Sequence, residues 1–177
     1  MLGAMQVCRG VSGGKVPDIT IRPYEENDLV AVVELSLRAW APVFASIQQA
    51  MAPEIYTAFY PKGWEASQRE AVTSACMDPQ KRVWLADRNG VPVGFVAVAF
   101  HATSSMGEIH MLAVDPDYQR DGIGTVLTKH AIDWLRSAGM SIVMVETGGD
   151  PGHAPARRTY ERAGFKIFPV ARYFMKL

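Results

Sequence analysis

Only two cysteines, Cys8 and Cys76, occur in the 177 residues of this chain. Their number and separation exclude a disulfide-stapled scaffold and any closely spaced cysteine metal motif. Such sparing use is the pattern of a reducing compartment, and a cytoplasmic setting is expected. Charge of one sign is equally lacking, because 18 Lys and Arg balance 18 Asp and Glu for a formal net charge of +0. That balance removes the whole-chain attraction on which a nucleic-acid binder relies, and no clustered basic helix supplies it locally. No uninterrupted apolar run approaches the roughly 18 residues that a membrane helix needs, so no membrane partner is expected. Internal repeats and low-complexity tracts are also missing.

What is present reads as a globular domain, with 49% hydrophobic and 20% charged residues. Residues 1–17 hold four glycines and no periodicity, and are expected to form a flexible tail. Residues 18–177 are expected to form a single domain. Ile19–Tyr24 alternates like a strand. A helix capped by Asn27 or Asp28 follows, with Leu29, Val32, Val33, Leu37 and Trp40 on one stripe, and Pro42 is expected to interrupt it. Pro53 opens a helix to Phe59, and another spans Trp64–Cys76. Strands over 82–87 and 91–100 flank Asn89-Gly90, a hairpin signal because a tight primed turn needs positive φ. A strand over 107–114, a helix over 122–138, a strand over 141–147 and a helix over 154–163 complete the core. Gly164 is placed to end the last helix, and "FKIFPV" and "ARYFMKL" are expected as closing strands. Hairpins mixed with βαβ units predict an α/β (α+β) fold whose central sheet is mixed and partly parallel.

The most informative stretch is Gln119-Arg120-Asp121-Gly122-Ile123-Gly124-Thr125, set between a strand ending at Val114 and the clearest amphipathic helix. The first amides of a helix lack internal partners and sit at the positive end of its dipole, so this is a ready anion cradle. A Walker loop is excluded, because Gly124 is followed by Thr125 and Val126 rather than Lys-Ser/Thr. A dinucleotide fingerprint is excluded, because its third glycine would stand at Leu127.

The run "EIHMLAVDPDYQRDGIGTVL", joined to "RRTYERAGF" downstream, resembles the GNAT superfamily of acetyl-CoA-dependent N-acetyltransferases. The likeness extends over about residues 19–177 and is strongest over 107–168. It implies a mixed sheet with a splayed parallel strand pair and flanking helices, acetyl-CoA as cosubstrate and no metal. Backbone groups of residues 119–125 would then wrap the coenzyme diphosphate. Leu112 and Val114 would offer free backbone groups to the pantetheine arm, with the Leu112 N–H facing the thioester carbonyl.

The resemblance also implies a proton donor, Tyr160, for the departing thiolate, with a packing-only tyrosine as the alternative. Glu108 is the candidate base, or else an anchor for the substrate ammonium or a structural carboxylate. In a regular strand Glu108, His110, Leu112 and Val114 would share one face. His110 is an alternate base, Asp115 a loop-shaping residue and Glu146 a second acidic candidate for substrate binding. Where many relatives carry an asparagine seven residues before the tyrosine, this chain has His153, within "TGGDPGHAPAR". His153 replaces that contact with the arm, or the glycines reroute the loop. Arg157 and Arg158 meet the coenzyme or face water.

The expected function is transfer of acetyl to a primary amine, probed first among small molecules such as aminoglycosides or polyamines. Trp40, Phe44, Tyr56, Tyr60 and Trp64, with nearby glutamates, suit a cationic ligand, although aromatics at helical spacing are more often core. A protein N-terminus or lysine is the alternative acceptor, and a non-catalytic acyl-CoA-binding module the alternative class. The resemblance further implies a homodimer formed through the C-terminal strands.

Overall fold

The computed structural model describes residues 18–101 and 104–177, so the expected tail over residues 1–17 lies outside the described residues. Strand β1 is Thr20–Pro23, β2 Arg82–Arg88, β3 Val91–His101, β4 Met106–Val114 and β5 Ile142–Val145. Helix α1 is Leu29–Ala50, α2 Pro53–Phe59, α3 Trp64–Met77, α4 Ile123–Ser137 and α5 Ala154–Arg162. The five strands lie in the order β1-β2-β3-β4-β5. The first four are antiparallel, and β4 and β5 are parallel. The mixed, partly parallel sheet expected from the sequence is therefore what forms. Asn89 and Gly90 adopt φ of 56° and 83° in the β2–β3 turn, the conformation the pair predicted.

Two apolar layers cover the sheet. On one face Ile123, Leu127, Ala131 and Leu135 of α4 pack on Trp84, Val96, Val98 and Ile109. On the other, Val32, Val33 and Leu35 of α1 and Val72 of α3 pack on Leu85, Phe95 and Ala113. Gly107 lets α4 approach, since a Cβ there would overlap the Leu135 side chain.

Three sequence expectations are corrected. Helix α1 continues through Pro42 to Ala50. Proline removes one helical hydrogen bond, but Pro42 is exposed and the buried Phe44 beyond it holds the last turns down. The stretch Glu26–Ala50 is also long and apolar enough, by composition, to cross a membrane, with mean hydropathy 1.5. Glu34 and Arg38 interrupt it, which is why no continuous run is visible, and here its apolar stripe packs on the sheet. Finally, the closing strands do not form, and residues 165–177 carry no regular structure. A strand needs a partner ladder. The free edges of the described sheet are β1 and β5, each only four residues long.

Candidate active site

Pairing between β4 and β5 runs from Met106 with Ile142 to Ile109 with Val145 and then stops. β4 continues to Val114 while the chain after Val145 no longer pairs with it, so the two strands part and the end of β4 has no strand partner on that side among the described residues. This is the parting of the parallel pair that the resemblance implies. The Asp115 N–H donates to the Val93 carbonyl at 3.0 Å. Alternation in the antiparallel ladder then directs the amides of Ala113 and Met111 at β3, and those of Leu112 and Val114 toward the unpartnered side. The side chains of Leu112 and Val114 pack under α4, so only their backbone is offered there. The Val114 carbonyl accepts from Gln119 Nε2 at 3.1 Å, which folds the Gln119 side chain back onto the strand.

Beyond Val114, the buried Asp115 accepts from the Asp117 N–H at 3.1 Å and from Arg38 of α1 at 2.5 Å. It shapes the loop, as expected. Arg120 and Gly122 take φ of 71° and 83°, which turns the chain sharply into α4. Gly122 is the N-cap and no side chain caps the helix. The Gln119 amide, expected in the cradle, instead donates to the Pro116 carbonyl at 3.4 Å, and the next amide to donate is that of Val126, to the Gly122 carbonyl at 3.1 Å. The amides of residues 120–125 between them are left without backbone acceptors at the positive helix end. A Cβ at Gly122 would meet nothing within 4 Å, so its glycine serves the left-handed turn and leaves open space above it. Ile123 is 2% exposed and contributes its amide alone, whereas Asp121 and Thr125 are exposed. These groups fit a diphosphate: several converging donors, no competing side-chain cap and room to approach.

Glu108 does not share a face with Leu112 and Val114. Ala97 pairs with Met111 but Val98 pairs with Ile109, so His110 is an extra residue in β4. The bulge reverses the alternation. Ile109, Leu112 and Val114 lie toward α4, whereas Met111 and Ala113 lie toward α1. Glu108, adjacent to Ile109, consequently projects on the α1 side. Its carboxylate bonds His101 Nε2 at 2.8 Å and lies 3.5 Å from His110 Nδ1. Neither histidine was read from the sequence as a partner of Glu108.

Tyr160 is 9% exposed and meets Phe165 edge-on at 5.8 Å. Burial pushes its phenol up to about 12. The end of its helix is as predicted: Gly164 has φ of 99°, and the Phe165 N–H returns to the Tyr160 carbonyl at 3.1 Å.

The glycine-rich loop after β5 folds into a 3-10 turn at Pro151–His153, packed on α1. Asp150 accepts from Ser46 Oγ of α1 at 2.6 Å and from the Gly152 N–H at 3.0 Å, and it also binds His153 Nδ1. Arg157 does not reach for a ligand; it bonds the carbonyls of Gly148 and Asp150. Arg158 is exposed. Glu146 is exposed and pairs with Arg172 of the C-terminal segment at 2.7 Å. Trp40 leans on Phe95 at 6.1 Å against the sheet, so it is largely a packing residue. Phe44 stacks on Trp64 at 4.6 Å and meets Tyr60 edge-on at 5.3 Å, with Tyr56 against Tyr60 at 4.9 Å.

Among known proteins, the acetyltransferase (GNAT) family matches residues 50–165. A mycothiol acetyltransferase of Thermomonospora curvata is 36% identical over 88 residues, 50% of this chain and 29% of that protein. The chain thus spans less than a third of that relative's length. The ribosomal-protein-S18-alanine N-acetyltransferase of Escherichia coli superposes with a TM-score of 0.61 at 25% identity, covering 84% of this chain and 77% of that one. A PaiA N-acetyltransferase of Thermoplasma acidophilum, solved with coenzyme A, superposes with a TM-score of 0.65 at 18% identity, covering 86% and 92%. The matched segment contains both the parted strands and the helix start described above, and the chain belongs to the acetyltransferase (GNAT) family.

Proposed function

We propose that this chain is an N-acetyltransferase that moves acetyl from acetyl-CoA to a primary amine of a small molecule, by direct attack within a ternary complex. The observation that carries the reading is the uncapped start of α4 beside the opened β4–β5 pair. The coenzyme supplies an activated acyl group. The amides of residues 120–125 bind its diphosphate, Leu112 and Val114 bind the pantetheine arm, and the Leu112 N–H stabilises charge on the thioester oxygen. Glu108 takes the proton lost by the attacking amine, directly or through water. Tyr160 gives a proton to the departing sulfur. A buried phenol held at about 12 keeps that proton across the working pH range.

The mycothiol acetyltransferase relative supports a small-molecule acceptor. Aminoglycosides and polyamines are the first classes to test, given the glutamates and aromatic residues that the N-terminal helices carry. The S18-alanine neighbour favours a second reading, a peptide α-amine. The proposal includes a cytoplasmic homodimer joined through residues 165–177, where Ile167, Phe168, Val170 and Tyr173 lie exposed.

Release of free thiol from acetyl-CoA tests the reaction against a panel of aminoglycosides, polyamines, amino sugars and short peptides. Turnover with a small amine is expected. Turnover with peptides alone would move the acceptor to the second reading. Coenzyme binding without thiol release across the whole panel would reduce the protein to an acyl-CoA-binding module.

A further inference from the structure

His101 reaches Glu108 because of the strand register. Ala99 stands opposite Glu108 and His101 opposite Met106, so Ala99, His101 and Glu108 share the α1 side of the sheet. His101 is thus the diagonal neighbour of Glu108, a separation that two long side chains can close. The small Ala99 side chain leaves room for the imidazole to lean across. The turn after His101 is itself fastened. Ser104 Oγ donates to the His101 carbonyl at 3.2 Å, and the Ser105 carbonyl accepts from the Ser141 N–H at 3.0 Å. From β5 the residue in register with Glu108 is Met144, which offers no hydrogen-bond donor in its side chain.

The two carboxylate oxygens of Glu108 are not equivalent. Oε2 is bonded to His101 Nε2 at 2.8 Å. Oε1 makes no hydrogen bond among the described residues, and His110 Nδ1 stands 3.5 Å from it, a long approach for a hydrogen bond. An ionised carboxylate can only accept, so Nε2 of His101 carries the proton and Nδ1 the lone pair of the neutral ring. Side-chain exposure is 19% for Glu108 and 41% for His101, so the imidazole takes the place of water at Oε2. The pair sits one step before the parallel strands part. Glu108 pairs with Met144, Ile109 with Val145 is the last pair, and the bulged His110 comes next in β4.

We propose that His101 is a positioning residue for acetyl transfer, whose Nε2–H ties down Oε2 of Glu108 and so reserves Oε1 for the proton of the attacking amine. The proposal rests on the acetyl-transfer reading above and deepens it. In this step an amine N–H bond breaks, an O–H bond forms at Oε1, and His101 keeps its own proton throughout. Without the imidazole the carboxylate would turn about its side-chain torsions, the two oxygens would become interchangeable, and the fixed geometry that speeds proton transfer would be lost.

The experiment combines kinetics with nitrogen NMR of the histidine rings, both on the full chain. Free-thiol release from acetyl-CoA is followed with the fastest acceptor of the panel above. His101→Ala should lower kcat about 10-fold, the scale of one hydrogen bond to a charged group, with KM values and the thermal midpoint little changed. His101→Gln, which returns an N–H donor, should recover the rate to within about threefold. In a Glu108→Gln background, His101→Ala should change the remaining rate by less than about twofold, because the two residues act as one unit. The ring spectra of the unaltered chain should show His101 protonated at Nε2, and Glu108→Ala should remove that preference. Equal falls in both backgrounds, a rise in KM in place of the fall in kcat, or a His101 ring protonated at Nδ1 alone would overturn the proposal. So would a fall in kcat from His110→Ala with His101→Ala silent, which would hand the task to the other imidazole. No thiol release by the unaltered chain with any acceptor would overturn the acetyl-transfer reading, and this inference with it. Release that His101→Ala leaves unchanged would overturn this inference alone.

Discussion

Arg38 on α1 bonds Asp115 at 2.5 Å, and the two differ sharply in burial: side-chain exposure is 55% for the arginine and 9% for the aspartate. The pair joins α1 to the loop that leads into the start of α4. The two ends should not be equivalent. An arginine that is half in water contributes little through charge, so Arg38→Ala should cost under about 1 kcal/mol. Asp115→Ala also removes the acceptor for the Asp117 amide, and should cost about 1–2 kcal/mol. Urea midpoints measured on both variants decide this. Equal losses would mean that the salt bridge, and not the turn, is what Asp115 contributes.

Tyr160 carries a prediction about rate and another about pH. Tyr160→Phe removes the hydroxyl but keeps the packing on Phe165. Acetyl transfer should slow by about 100-fold with coenzyme affinity preserved, the loss expected of a positioned proton donor. Unchanged turnover, with chemistry shown to limit the rate, would leave Tyr160 a packing residue. Burial also raises this phenol from 10.0 to about 12. The folded state therefore holds the proton more tightly than the unfolded state does. That stabilisation is complete below about pH 10 and is lost as the pH climbs toward 12, up to about 2–3 kcal/mol. Alkaline unfolding should begin later in Tyr160→Phe than in the unaltered chain.

The bulge at His110 makes a separate case for Glu108. Because the carboxylate already accepts from His101 Nε2 at 2.8 Å, a purely structural role would be served nearly as well by an amide. Glu108→Gln should then leave both stability and rate within a small factor. A base cannot be replaced in this way, since glutamine takes no proton. We expect kcat/KM to fall about 100-fold near neutral pH, with the thermal midpoint little changed. A fall in stability that matched the fall in rate would place Glu108 in the scaffold instead.

Sequence and structure agree where local chemistry decides. The Asn89-Gly90 turn, the apolar stripe of α4 and the Gly164 stop follow from backbone preferences of a few neighbouring residues. They part company where the outcome depends on a distant partner. The side to which Glu108 points is fixed by one extra residue in β4 against Ala97 and Val98 of β3, which no alternation within β4 reveals. Ser46 gives no sign of its contact in its helix, since its partner Asp150 is 104 positions away. The glycines of "TGGDPGHAPAR" are visible as unusual, yet their purpose appears only when the space a Cβ would fill is known to hold Asp150, His153 and Ser46. The closing residues alternate like strands but pair with neither of the short edge strands, and Arg172 binds Glu146 instead.

His130 on α4 should make the fold sensitive to acid. Its ring meets Trp84 edge-on at 5.0 Å, and its Nε2 is sealed from solvent without a hydrogen-bond partner among the described residues. Burial pushes the imidazole below its usual range, and nearby Asp133 opposes this only in part. The folded state therefore resists a proton that the unfolded chain accepts readily. Stability is intact above about pH 6.5 and falls as the pH drops through the lowered folded value. His130→Phe keeps an aromatic ring against Trp84 and removes the titration. The thermal midpoint of that variant should change less between about pH 7 and pH 5 than that of the unaltered chain. Parallel curves would show that the acid sensitivity arises at other groups, and that the sealed Nε2 is reached by water when it charges.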